Sequence, residues 1–229
     1  MKLLAPDSVV TALRAAYSGL TTVVADLDDF SLLLPSGCRG WTVSDLLLHV
    51  SLDAQRALVA LNTPADGPAD VDFVTYWRAF PGSGDADAAA GRAQWVRRTA
   101  SAFPRPTGLV PTWTETAAAA AHAAGRADAG GFIGTQGHVL AVPDFLVTLI
   151  TEAVIHHLDL IVSLPQAPPP APEAIELALS TLEGLAAPEG LPAHWSELES
   201  LRKGTGREEL TPADHEALGS RADLFPLFA

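Results

Sequence analysis

Residues 142–162, VPDFLVTLITEAVIHHLDLIV, constrain the fold more than any other stretch of the chain. They are apolar almost all the way round, the pattern of a helix buried on every side. The second half nevertheless carries Glu152, His156, His157 and Asp159. A charge left unpaired in such surroundings costs on the order of several kcal/mol. Glu152 and His156 are four residues apart, so a helix sets them on one face, one turn from each other. Either the two form a buried ion pair or they share a partner, and a divalent metal is a partner that both side chains accept.

His49 bears on that choice. In GWTVSDLLLHVSLDAQRALVAL, Thr42 reads as a helix N-cap with Asp45 as its capping-box partner. Leu46, His49, Val50, Asp53 and Ala57 follow at helical spacing, which places His49 on the core face. A lone histidine there is ordinarily a hydrogen-bonded core residue. Joined to Glu152-x-x-x-His156 it completes three ligands of types zinc accepts, with the fourth position open as in catalytic sites. His, Glu and His also accept nickel, cobalt or iron.

Composition narrows the partners. The formal net charge of −13 disfavours nucleic acid and anionic membrane surfaces, both of which call for a basic face. The charged residues within 142–162 argue against a membrane span. The N-terminal sequence has no apolar leader pattern. Cys38 is the single cysteine, so no internal disulfide forms, and a reducing cytoplasm is the expected compartment. It sits in a loop between Gly37 and Gly40 with no base near it in sequence, and reads as an incidental thiol.

Taken in order, periodicity and breakers predict a mainly α chain. Helix is expected over 7–27 (capped by Asp7 or Ser8), 43–61, 71–80, 88–103, 114–124 and 142–162. The third carries the aromatic cluster Phe73, Tyr76, Trp77 and Phe80. The fourth has Trp95, Val96, Ala100 and Phe103 inward, with Arg92, Arg97 and Arg98 solvated. Residues 62–70, 81–87, 104–111 and 125–137 read as loops, the last with a short extended piece. His122 and His138 are spare ligand candidates without partners at useful spacing. A Pro-rich linker at 164–172 separates residues 1–164 from a small helical region, 165–229, with helices at 173–186, 195–203 and 211–218. The long segments 7–27, 43–61, 88–103 and 142–162 predict a four-helix bundle with a site between its helices. Arg56, two turns from His49, and Arg78, in the aromatic cluster, are candidates for holding an anionic substrate group, although Asp53 is the closer partner for Arg56.

Two motifs together, Gly40-Trp41-Thr42-Val43…Asp45-Leu46-Leu47…His49-Val50 and Glu152-Ala153-Val154-Ile155-His156…Leu158-Asp159-Leu160, resemble the mycothiol-dependent maleylpyruvate isomerase N-terminal domain family. That family lies within the DinB-like bundle superfamily, and the resemblance covers about residues 7–164. It implies a four-helix bundle holding a divalent metal, usually zinc, with nickel the alternative that the donor types also accept. The family's ligands carry over onto His49, Glu152 and His156. Asp159 would orient a ligand imidazole, and His157 is its less favoured neighbour.

The same resemblance implies a low-molecular-weight thiol, mycothiol, as co-substrate and a small-molecule electrophile as substrate. The expected activity is S-transfer or cis–trans isomerisation. S-transfer is favoured because residues 165–229 read as helical where the isomerase has a larger α/β domain. The family's basic position before the glutamate is also replaced, by Leu149 or Ile150. A metal-dependent hydrolase and a non-enzymatic metal-binding bundle are the rival classes, since both use the same ligands.

Overall fold

The structure, a computed structural model, describes residues 5–79 and 86–228. The described helices are α1 (Pro6–Val24), α2 (Asp29–Leu32), α3 (Val43–Leu61), α4 (Thr75–Ala79), α5 (Ala86–Ala100) and α6 (Leu109–Ala124). A hairpin of β1 (Phe132–Thr135) and β2 (His138–Ala141) leads into α7 (Val142–Leu160), which tightens into a 3-10 turn. Then come α8 (Pro172–Leu185), α9 (Glu197–Gly204) and α10 (Pro212–Leu218). Residues 1–4, Phe80, residues 81–85 of the expected 81–87 loop and Ala229 lie outside the described residues.

The bundle is a ring of α1, α7, α3 and α6, each packed on the next. α3 begins where Thr42 accepts a hydrogen bond from the Asp45 backbone and Asp45 accepts one from the Thr42 backbone, the reciprocal cap expected from the sequence. Leu46, Val50, Ala54 and Ala57 of α3 and Val9, Leu13, Leu20 and Val24 of α1 line the core. α7 is buried nearly throughout. It is long and apolar enough to cross a bilayer, but 83% of its most apolar window lies inside the protein.

The fourth place in the ring differs from the sequence expectation. It belongs to α6, whereas α5 packs outside against α3. Trp95 of α5, expected inward, is 54% exposed, while Trp113 of α6 is fully buried and donates its indole N–H to Thr21 Oγ1 at 3.0 Å. Pro111 does not break the chain there. It is the third residue of α6, in the first turn, where a missing N–H leaves no helical hydrogen bond unmade. The alanines Ala117, Ala120 and Ala124 then let α6 approach α3 closely. α1 is also shorter than expected. It starts at Pro6 with Ala5 at the N-cap and no side-chain cap, and Ser8 Oγ donates to the Ala5 carbonyl instead. It stops at Val24 because Asp28 caps a separate short helix by accepting from Ser31 N.

The stretch 125–137, expected to be a loop with a short extended piece, contains β1, which pairs antiparallel with β2 just beyond it, Thr135 opposite His138. Gln136 (φ 49°) and Gly137 (φ 85°) make the two-residue turn, and positive φ at both positions suits the twist of a hairpin. Beyond the 164–172 segment, α8 packs on α7 and α1 and α9 packs on α8. Ala174, Ala178, Leu182 and Leu201 belong to the same core cluster as the bundle. The tail docks through Phe228 stacked on Trp77 and Phe225 edge-on to Trp195.

Candidate metal centre

α3 and α7 face each other, and three polar side chains meet between them. His49 Nε2 is 3.1 Å from His156 Nε2, and His156 Nε2 is 3.0 Å from Glu152 Oε2. The i, i+4 spacing on α7 stacks Glu152 and His156, and the Thr42 cap fixes the phase at which α3 presents His49. His156 is buried, whereas His49 and Glu152 each keep 28% side-chain exposure, so the set is open on one side. Trp41 walls the opening with its ring 5.4 Å from that of His49.

Behind His156 a second layer fixes its orientation. Asp159 Oδ2 lies 3.0 Å from His156 Nδ1 and receives Arg207 Nη2 at 3.1 Å and the Cys38 thiol at 3.3 Å. Burial opposes the Asp159 charge, but His156 and Arg207 outweigh it and hold the carboxyl down at about 2. Asp159 therefore has no proton to give, and His156 Nδ1 must be the donor. A neutral His156 then carries its lone pair on Nε2, aimed where His49 Nε2 and Glu152 Oε2 also point.

The remaining charges follow from this geometry. Burial and the adjacent His156 push the His49 imidazole down to about 4. Burial opposes a charged His156 too, yet hydrogen bonds to Asp159, Cys38 and Glu152 raise it well above its ordinary value. Burial, with Glu152 close by, lifts Asp53 to about 7. Asp53 Oδ1 accepts from Arg56 at 3.0 Å, while its buried Oδ2 has no hydrogen-bond donor; His49 Nε2 lies 3.4 Å away but out of line.

The donor set suits a divalent cation. Two imidazole nitrogens and a carboxylate oxygen, all within 4.8 Å of one another, are the ligand types of zinc. Bonds of 2.0–2.1 Å set tetrahedral donors about 3.3 Å apart, so separations of 3.0 and 3.1 Å need only slight widening. Two facing Nε2 atoms beside a carboxylate otherwise need a proton to hold them together.

The other candidates lie elsewhere. His157 turns to the opposite side and pairs with the Pro168 carbonyl at 2.9 Å, so it does not touch the cluster. Arg78 reaches the Gly184 and Leu185 carbonyls at 3.4 and 3.5 Å, away from the site. Arg56 pairs with Asp53 beside His49. His138 pairs with Asp70, and His122 is exposed. Cys38 corrects the expectation of an incidental thiol: it sits 3.8 Å from His156 Nδ1, brought there by a close approach at Gly37. The Gly37 N–H donates to the Asp159 carbonyl at 2.8 Å, and a Cβ at Gly37 would lie 2.6 Å from Asp159 Oδ1. Arg207 was not singled out either, because it lies 48 residues from Asp159 without a local pattern to mark it.

Fold and site together define a helical bundle with a two-histidine, one-glutamate donor set between facing helices. The family model for the mycothiol maleylpyruvate isomerase N-terminal domain matches residues 13–161, and the chain belongs to that family. Among solved structures, the crystal structure of the mycothiol-dependent maleylpyruvate isomerase is similar in fold. Its TM-score is 0.51 at 16% identity, over 79% of this chain and 68% of that one. No curated protein matches the chain.

Proposed function

We propose that the chain is a divalent-metal-dependent enzyme that uses a low-molecular-weight thiol, mycothiol, to act on a small electrophile. The observation that carries this reading is the convergence of His49 Nε2, His156 Nε2 and Glu152 Oε2 on one point with an open side. Family membership supplies the thiol and the isomerase-like chemistry. His49, Glu152 and His156 would hold the metal, zinc first and nickel second. Bound there, it supplies the positive charge that keeps a thiol in its reactive thiolate form near neutral pH, about a unit or more below the free thiol value of about 8.5.

The chain's own residues prepare that step. Asp159 holds the proton on His156 Nδ1 and so keeps Nε2 free for the cation. Arg207 and Cys38 hold Asp159 in place from behind. Trp41 packs edge-on against one side of the His49 ring. Arg56 is 46% exposed at the mouth and makes one hydrogen bond to Asp53. Its remaining N–H groups would receive an anionic group of the electrophile.

Addition of the thiolate to a conjugated double bond, rotation and expulsion gives cis–trans isomerisation. If the carbon–sulfur bond persists, the outcome is S-transfer. The test incubates the zinc-loaded protein with mycothiol and maleylpyruvate, or with a simple Michael acceptor, and follows products by NMR. Thiol-dependent turnover that is lost in Glu152→Ala supports the reading, and an isomer or a stable adduct separates its two forms. Turnover independent of thiol, through hydrolysis, contradicts it.

A further inference from the structure

A cavity of about 330 Å³ opens between α7 and the segment that follows α9. Its floor is apolar, from Ile155, Leu158 and Val162, and its wall carries Arg202, Thr205 and Arg207, with the Asp159 carboxylate at the inner end. None of His49, Glu152, His156, Trp41 or Arg56 lines it, so this cavity is not the mouth of the donor cluster. Val162 is 65% exposed, an uncovered apolar side chain at the rim.

The charges are against the grain of the chain, which has 27 acidic residues and 14 basic ones. Arg207 spends Nε and one Nη2 hydrogen on Asp159 and one Nη1 hydrogen on the Thr205 carbonyl. A guanidinium has five N–H donors, so two remain. Arg202 is exposed, and among the described residues no carboxylate lies within ion-pair distance of it. Asp159 is the single carboxylate lining the cavity, and Arg207 already balances it. The cavity therefore carries a net positive charge over an apolar floor.

We propose that this cavity binds a small organic anion, a carboxylate or phosphate ester with an apolar body. The anionic oxygens pair with Arg202 and the free N–H groups of Arg207, a planar fork that suits either head group. The apolar body lies on Ile155, Leu158 and Val162. The site stands whether or not a cation binds at His49, Glu152 and His156.

Isothermal titration of the full chain with phenyl phosphate, benzoate and inorganic phosphate at fixed ionic strength tests it. One saturable site per chain is expected for phenyl phosphate or benzoate, and the tighter of the two identifies the head group. Arg202→Gln, an exposed change without a partner to lose, weakens binding about tenfold, or about 1.4 kcal/mol. Val162→Asp abolishes it, whereas Arg98→Gln on a remote exposed face and His49→Ala leave it unchanged. Absence of saturation, equal binding by Arg202→Gln, or loss in His49→Ala would overturn the proposal. Inorganic phosphate binding as tightly as phenyl phosphate would remove the apolar floor from it.

Discussion

At the scale of single residues, Asp159 organises the site from behind. It accepts from the His156 ring, from Nε and Nη2 on one edge of Arg207 and from the Cys38 thiol while almost fully buried. Asp159→Asn keeps the shape but removes the charge. It leaves Arg207 without its counter-ion, a loss of about 3 kcal/mol by the usual cost of breaking a buried pair. It also weakens the hold on His156 Nδ1, and zinc affinity falls about 10- to 100-fold. Thermal denaturation and competition with a chromogenic chelator read the two effects separately. Unchanged values in both would show that the second layer is incidental. The grouping of His49, Glu152 and His156 was legible in the sequence because the Thr42–Asp45 capping box sets the phase of α3 and the i, i+4 spacing stacks Glu152 and His156 on α7. Cys38 and Arg207 were not, because both come from loops that reach Asp159 by tertiary contact, through the Gly37 approach and from 48 residues along the chain.

At the scale of elements, the composition of α5 and α6 decides which one joins the bundle. α5 has the more obvious stripe, with an aromatic residue and three arginines. α6 looks weak because it is rich in alanine and carries a proline near its start. Small side chains are what a closely packed fourth helix needs, and a first-turn proline costs nothing, so the weaker pattern takes the inner position. Trp113→Ala is expected to cost about 3–5 kcal/mol, the usual loss for emptying a large buried site. Trp95→Ala is expected to stay within about 0.5 kcal/mol, as for a surface change. Denaturant unfolding of the two variants gives this order, and the reverse order would restore α5 to the core. The hairpin reads in the sequence as one short extended piece, rather than a pair of strands, for a related reason. Its strands are four residues each, too short for alternation to stand out beside five glycines, and Gln-Gly is not among the strongest turn dipeptides.

At the scale of the whole molecule, the chain after the Pro-rich stretch is fastened to the bundle. α8 contributes to the common core, Arg207 pairs with Asp159, and Phe228 stacks on Trp77. Asp214 holds this region together from within. Burial opposes its charge, but Lys203, Trp195 and the Thr211 cap hold the carboxyl well below its ordinary value. A carboxyl lowered in the folded state adds stability that is complete above about pH 4, its unfolded value, and is lost as pH falls below that. Asp214→Asn is therefore expected to lower stability by about 3 kcal/mol at pH 7, with the gap to wild type narrower by about 1 kcal/mol at pH 3. A gap independent of pH, measured by unfolding at both values, would assign the loss to packing alone.

The central claim is that His49, Glu152 and His156 hold one divalent cation between α3 and α7. Metal content per chain, measured by mass spectrometry on protein purified without an affinity tag, tests it most directly when run beside His49→Ala and Glu152→Ala. The account predicts about one zinc or nickel per wild-type chain, lost in both variants while the helical fold is retained. Wild-type protein that is metal-free and cannot be loaded would contradict it, leaving the cluster a proton-linked pair of histidines beside a carboxylate.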